Sequence, residues 1–216
     1  MTKIGVIGSG SVAQTLATGL AKHGHDVRIG SRDPKKLAEF AQKSGLKAGT
    51  FDEVAAHGDV LILAVKGKVA LEATAMVDKH LAGKIVIDAT NPIAEGPPVD
   101  GSIVPFFTGP NESLMEVLQK AHPSARFVKA WNSVGAHLMI DPHFEGGRAT
   151  MFIAGNDDAA KKEVSTILDG VGWDAEDLGK ASAARPIEAL CQLWCAPGFL
   201  RNDWAHAYRV VRPSKK

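Results

Sequence analysis

Cysteine is almost missing from this chain. Only Cys191 and Cys195 occur in 216 residues, four apart in a segment of helical pattern. They read as small, half-buried apolar residues in a reducing compartment rather than as a redox pair. Long hydrophobic runs are missing too. The longest, Val60 to Val65, is far too short to span a bilayer. The N-terminus opens directly on a strand with no signal or transit pattern, so the expectation is a cytoplasmic protein with no membrane partner. Excess charge is absent: 25 Lys and Arg against 24 Asp and Glu leave a net charge of +1, which provides no field for nucleic acid. No nucleophile–base pairing emerges, and the histidines are scattered. His137, Asp141 and His143 match no ligand spacing, so no metal site is expected. The tryptophans at 131, 173, 194 and 204 read as core and interface anchors, apart from Trp131.

What is present is concentrated near the start. Lys3 to Ile7 reads as a short apolar strand, followed by Gly8-Ser9-Gly10-Ser11-Val12-Ala13 and a helical stretch to about Lys22. This is a dinucleotide-binding fingerprint in its context of strand, tight turn and helix. Gly8 permits the turn, Gly10 lets a pyrophosphate approach the backbone, and Ala13 lets the helix pack closely on the sheet. A second strand, Asp26 to Gly30, ends at Ser31-Arg32 where an NAD site usually carries an acid. A hydroxyl and a guanidinium suit a 2′-phosphate, so the expected cofactor is NADP(H), with Lys36 one turn further on.

Strands and helices then alternate. Helices are expected at Pro34 to Ser44, at Phe51 to His57 with Thr50 as cap, at Lys68 to His80, at Glu112 to Ala121, at Asp157 to Leu168 and from Ser182 to about Cys195. Strands are expected near Leu46, at Asp59 to Val65, Lys84 to Ala89, Ala125 to Ala130, Thr150 to Ala154 and Trp173 to Asp177. The run DVLILAV, apolar without alternation, reads as a parallel strand buried on both faces. The Gly- and Pro-rich stretch Ile93 to Pro110 reads as a long irregular loop, of the kind that often carries function. The fold class is α/β: a Rossmann-type, doubly wound, mostly parallel sheet extended by a small C-terminal α/β portion. The expected division is an NADP-binding domain over 1–130 and an acceptor-site extension over 131–216.

Ligands of such sheets bind beyond the carboxyl ends of the strands. The candidate cofactor residues are therefore Gly8, Ser9, Gly10, Ser11 and Val12; Ser31, Arg32 and Lys36; Ala64, Val65 and Lys66; Asn91 and Pro92; and Ala130, Trp131 and Asn132. Asn91 offers an amide donor and a carbonyl acceptor to a nicotinamide ribose or carboxamide, although an Asx turn before Pro92 accounts for it equally well. No particular side chain is assigned a catalytic role.

With these residues located, the chain resembles NADP-dependent oxidoreductases that reduce a deazaflavin coenzyme, coenzyme F420. It is similar also to the oxidoreductase domain of six-transmembrane metalloreductases. The resemblance runs through Ile4–Ala13, Gly30–Pro34, Ile87–Pro92, Lys129–Ser133 and Phe152–Asp157; the last two segments are not general to Rossmann domains. It implies hydride transfer between NADPH and a flavin-type ring, with coenzyme F420, FMN or FAD as the second substrate. Such transfer needs two stacked rings with reacting carbons roughly 3–3.5 Å apart and little acid–base machinery. By the same resemblance Trp131 to Gly135 lines the ring-stacking site, with Asn132 where archaeal members often carry histidine. Reduction of a small carbonyl or imine, and a non-catalytic NADP(H) sensor, stay open. For the apolar segment Trp194 to Leu200, packing across a homodimer and burial within the chain are both open.

Overall fold

A computed structural model describes residues 1–213. Its centre is an eight-stranded sheet in the order β3-β2-β1-β4-β5-β6-β7-β8. The strands are β1 Lys3–Ile7, β2 Asp26–Gly30, β3 Lys47–Gly49, β4 Val60–Leu63, β5 Ile85–Asp88, β6 Arg126–Lys129, β7 Thr150–Gly155 and β8 Asp174–Asp177. The first six run parallel, β7 is antiparallel to β6, and β8 is parallel to β7. The strand order reverses between β1 and β4, the crossover at which doubly wound sheets bind ligands. The helices are α1 Ser11–Lys22, α2 Ala38–Ser44, α3 Phe51–His57, α4 Ala70–Ala75, α5 Leu114–Ala121, α6 Asp158–Gly170 and α7 Ala184–Arg201.

The unbroken apolar strands are explained by cover on both faces. Val60 and Ile62 of β4 join one core with α1 and α6, while Leu61 and Leu63 join the other with α3, α4 and α5. Ile85 and Ile87 against Val86, and Val128 against Phe127, divide in the same way. The exposed edges are blunted: β3 has three residues, and β8 reads DAED, with Arg148 on Asp174 and Arg212 on Glu176.

Expected and observed elements differ in three main places, and in the first the helix expected over Pro34 to Ser44 opens as a 3-10 turn at Pro34–Leu37 before α2. The helix expected over Lys68 to His80 is broken into a 3-10 turn at Gly67–Val69, α4, and a second 3-10 turn at Asp78–His80. The second turn lies beside a polar group at Thr74. Its hydroxyl donates back to the carbonyls of Ala70 and Leu71, and it meets His122 Nε2 at 2.9 Å, while His122 Nδ1 meets Asp78 at 2.6 Å. The final helix runs past its expected end, through Pro197 to Arg201. Tertiary packing overrides the proline. Trp204 folds onto Gly198, where a Cβ would lie 2.4 Å from the ring, and packs on Trp194 and Phe199 at centroid distances of 5.5 and 5.3 Å. Trp194 is thus buried by its own chain, while Leu193, Phe199 and Leu200 lie on the surface.

Helix α5 is held at its start by a capping box in which Ser113 and Glu116 satisfy each other's backbone amides. Arg185 forks onto both Glu116 oxygens at 2.7 and 2.9 Å, and this contact, ahead of the Ser113 bonds, draws the Glu116 pKa below its ordinary 4.5. A depressed carboxylate stabilises the fold above its unfolded pKa, and that contribution is lost as pH falls through the folded value. Glu116→Gln is therefore expected to flatten the fall in unfolding free energy between about pH 5 and about pH 3, measured by urea titration, while lowering stability at neutral pH by about 1 kcal/mol.

Candidate functional site

The β1–α1 turn is shaped by what its residues cannot carry. Gly8 has φ +144°, and a Cβ there would stand 2.2 Å from the Ala64 carbonyl oxygen, so the turn presses on the end of β4. Gly10 is the N-cap of α1, without a side chain to cap the helix and without an acid in the first turn. A Cβ on Gly10 would meet nothing within 4 Å. The leading N–H groups of α1 therefore face open space with the positive end of the helix dipole behind them, the arrangement that takes a phosphate.

That space is a cleft of about 570 Å³. It brings together most of the residues singled out in the sequence: Gly8 to Val12 on one wall, Ser31, Arg32 and Lys36 at the tip of β2, and Ala64, Val65 and Lys66 after β4. Ser31 is buried and its Oγ accepts from the Asp33 amide at 3.2 Å, which leaves its own proton to donate. Arg32 is half-exposed and reaches across the cleft to Glu72 of α4, Nη1 to Oε1 at 3.1 Å. An uncapped helix start, a hydroxyl and a guanidinium within one cleft fit a dinucleotide that carries an extra phosphate on its ribose. The residues that would hold it are the Gly8–Val12 backbone for the pyrophosphate and Ser31, Arg32 and Lys36 for the 2′-phosphate.

A second cavity, of about 410 Å³, opens beside the first. It shares Val65, Lys66, Lys68 and Ala89 with the cleft and adds Gly67, Asn91 and Ile93 to Glu95. Asn91 is fixed by Asn132: Asn91 Nδ2 donates to the Asn132 carbonyl at 2.7 Å, and Asn132 Nδ2 donates to Asn91 Oδ1 at 3.1 Å and to the Ile187 carbonyl at 2.8 Å. Asn91 is therefore more than an Asx turn; it clasps the ends of β5 and β6. Pro92 is buried beside it, and its carbonyl accepts the Phe107 amide. Ala130, Trp131 and Asn132 line neither cavity. The Trp131 indole is fully buried in the core, and its φ of +59° is an outlier for so bulky a residue. That turn, braced by the Trp131 amide on Met151 Sδ, directs Asn132 back toward Asn91.

Beneath the clasp lies a buried ionic group that the sequence reading missed. Lys129 Nζ sits 2.6 Å from Asp88, 2.8 Å from Glu188 and 3.0 Å from the Thr90 carbonyl. Three oxygens from three different segments thus surround the ammonium group. Burial works against the charge, but the flanking Asp88 and Glu188 carboxylates outweigh it and the Lys129 pKa is raised above 10.5. Asp88 also accepts from the Thr90 amide and hydroxyl, and Glu188 accepts the Leu114 and Met115 amides at the start of α5. Charges of opposite sign in the apolar strands KIVIDA and FVKA were the available signal. The distant Glu188 left none. Lys68, Val69, Glu72 and Ala73, just before and on α4, also line the cleft, and no local signal in the sequence marks them.

Elsewhere, Asp141 turns its carboxylate to His23 at 2.8 Å and its carbonyl to His143, and among the described residues no three His, Cys, Asp or Glu gather as metal ligands. His23 and His25 close α1 through backbone amides around Gly24. Cys191 and Cys195 are free thiols; hydrogen bonding between them, with burial, pushes the Cys191 pKa up. No described helix is long and apolar enough to cross a membrane.

The sheet and its glycine turn define the class: a Rossmann-type dinucleotide-binding protein. Comparison with known proteins then gives the family. A family model described as NADP oxidoreductase coenzyme F420-dependent matches residues 3–92. The crystal structure of a putative F420-dependent NADP-reductase from Arthrobacter sp. FB24 is 35% identical with a TM-score of 0.91, covering 98% of this chain and 100% of that one. The F420-dependent NADP reductase of Methanothermobacter marburgensis is 30% identical over 205 residues, which is 88% of this chain and 90% of the relative. Rat metalloreductase STEAP3 is 30% identical over 217 residues, 97% of this chain, but the chain spans only 42% of that protein's length. The chain belongs to the F420-dependent NADP reductase family and is an NADP-dependent oxidoreductase.

The glycine turn and the buried lysine each give a test. Gly10→Ala is expected to leave the melting temperature within about 2 °C of wild type, since its methyl meets only open space, while weakening NADPH binding by roughly tenfold or more in a fluorescence titration. Lys129→Met strands two buried carboxylates and is expected to cost about 3–5 kcal/mol in denaturant unfolding. Adding Asp88→Asn and Glu188→Gln should recover part of that loss.

Proposed function

We propose that the protein transfers a hydride between NADPH and a deazaflavin acceptor of the coenzyme F420 type. NADP(H), when bound, supplies the hydride from its nicotinamide ring. The observation that carries the reading is the continuity of the two cavities. A cleft suited to a phosphorylated dinucleotide runs into a second space, walled by Val65, Ala89, Ile93 and Ala94, with room for a planar ring. The protein's part is positioning. The Gly8–Val12 amides hold the pyrophosphate, Ser31, Arg32 and Lys36 hold the 2′-phosphate, and the Asn91–Asn132 clasp fixes the wall against which a ring would lie. In this reading residues 1–130 grip the cofactor, and residues 131–216 shape the acceptor side through Asn132 and the Ile187 carbonyl of α7.

Ring-to-ring hydride transfer depends on geometry more than on a titrating side chain, which fits a site whose polar groups are mostly tied in structural bonds. The deazaflavin assignment is supported by the relatives from Methanothermobacter marburgensis and Arthrobacter, an F420-dependent NADP reductase and a putative one. FMN and FAD are the rival acceptors.

Anaerobic oxidation of NADPH, followed at the nicotinamide absorbance with coenzyme F420, FMN and FAD in turn, tests the acceptor. The deazaflavin is expected to be reduced fastest, and turnover with FMN or FAD alone overturns the assignment. Arg32→Ala is expected to weaken NADPH by about 1.5 kcal/mol, roughly tenfold, with NADH unchanged. An unaltered preference for NADPH would refute the 2′-phosphate site.

A further inference from the structure

The cleft that should welcome a phosphate contains a carboxylate on its principal cation. Its lining includes the cations Arg32, Lys36, Lys66 and Lys68 and the acids Asp33 and Glu72. Asp33 is committed locally, capping the next turn by accepting the Lys35 amide at 3.2 Å. Glu72 is not. It stands on α4, on the wall opposite the tip of β2, and makes a single-ended contact from Oε1 to Arg32 Nη1 at 3.1 Å. Both side chains are more than half exposed, at 57% and 58%. The pair therefore contributes little to the fold, and Glu72 has no structural role that explains its place.

We infer that Glu72 is a specificity-determining residue: a built-in carboxylate competitor that occupies Arg32 in the free protein and must surrender it when a 2′-phosphorylated cofactor enters. The inference rests on the reading of Arg32 as the 2′-phosphate contact. A phosphate monoester carries about −1.5 to −2 charges at neutral pH and offers three acceptor oxygens, so it outcompetes one carboxylate oxygen for the guanidinium. Part of its binding energy is nevertheless spent in displacing Glu72 and in accepting a negative charge as neighbour. NADH, with a 2′-hydroxyl in that place, meets neither cost. Glu72 thus lowers the preference for NADPH below what Ser31, Arg32 and Lys36 would otherwise give.

The test measures NADPH and NADH dissociation constants at low salt for the full chain as wild type, Glu72→Gln, Arg32→Ala and the double variant. Glu72→Gln is expected to tighten NADPH about three- to fivefold and to leave NADH within about twofold, because an exposed pair is worth that much. Glu72→Ala should shift NADPH in the same direction, which separates charge from shape. The gain is expected to shrink in the Arg32→Ala background and to fade as salt is raised. If Glu72→Gln weakens NADPH or leaves it unchanged while Arg32→Ala abolishes the preference, Glu72 aligns or merely accompanies the arginine and the inference falls. If Arg32→Ala leaves the preference intact, the 2′-phosphate reading itself has failed.

Discussion

The geometry at the carboxyl edge of the sheet depends on one ammonium group. Lys129 is withdrawn from water and held by Asp88, Glu188 and a backbone carbonyl. Through them it joins β5, β6, the start of α5 and the first half of α7. β5 and β6 lead into the Asn91–Asn132 clasp within three residues, and α7 meets it through the Ile187 carbonyl. A buried ion cluster is a poor source of net stability compared with apolar packing. What it does supply is directionality, since the ammonium draws two carboxylates and a carbonyl from separate elements to one point. The tips of β5 and β6 are thereby set in one register relative to each other.

The end of the cleft at the glycine turn is built differently. Its chief donors are backbone amides of a helix that has no cap, and its walls approach so closely that Gly8 cannot carry a side chain. Nothing there needs a buried charge. The cations around it are solvated and partnered loosely, Arg32 with Glu72 and Lys68 with Glu95. One end of the site is thus rigid through internal ion pairing, and the other is preformed in backbone and adjustable in side chains.

Much of this was legible in the sequence. The strand–turn–helix start, the Ser31-Arg32 tip and the apolar strands pointed to the sheet, its class and one wall of the main cleft with the tip of β2. These signals are local and survive without tertiary information. The misses share a cause. The bonds that tie the end of α4 and the turn at Asp78–His80 come from His122 on another element, and the passage of α7 through Pro197 depends on Trp204 folding back. Glu188 meets Lys129 only because a helix some sixty residues downstream crosses the strand end. The indole of Trp131 proved to be core, and its functional weight passes to the turn it forms. Periodicity reports which face a residue occupies; it is silent on which distant partner will be there.

The reversal of chain direction at β7 has a consequence for how such a protein can diverge. Because β7 runs against β6, the segment joining them stays at the ligand-bearing edge, while the turn from β7 into α6 lies at the opposite edge. The loops near residues 31–36 and the stretch between β6 and β7 are a hundred positions apart along the gene and, among the described residues, share no hydrogen bond. Mutation can therefore alter residues 31–36 without disturbing the stretch between β6 and β7, and the reverse, so that these two parts of the same edge are free to diverge as separate traits.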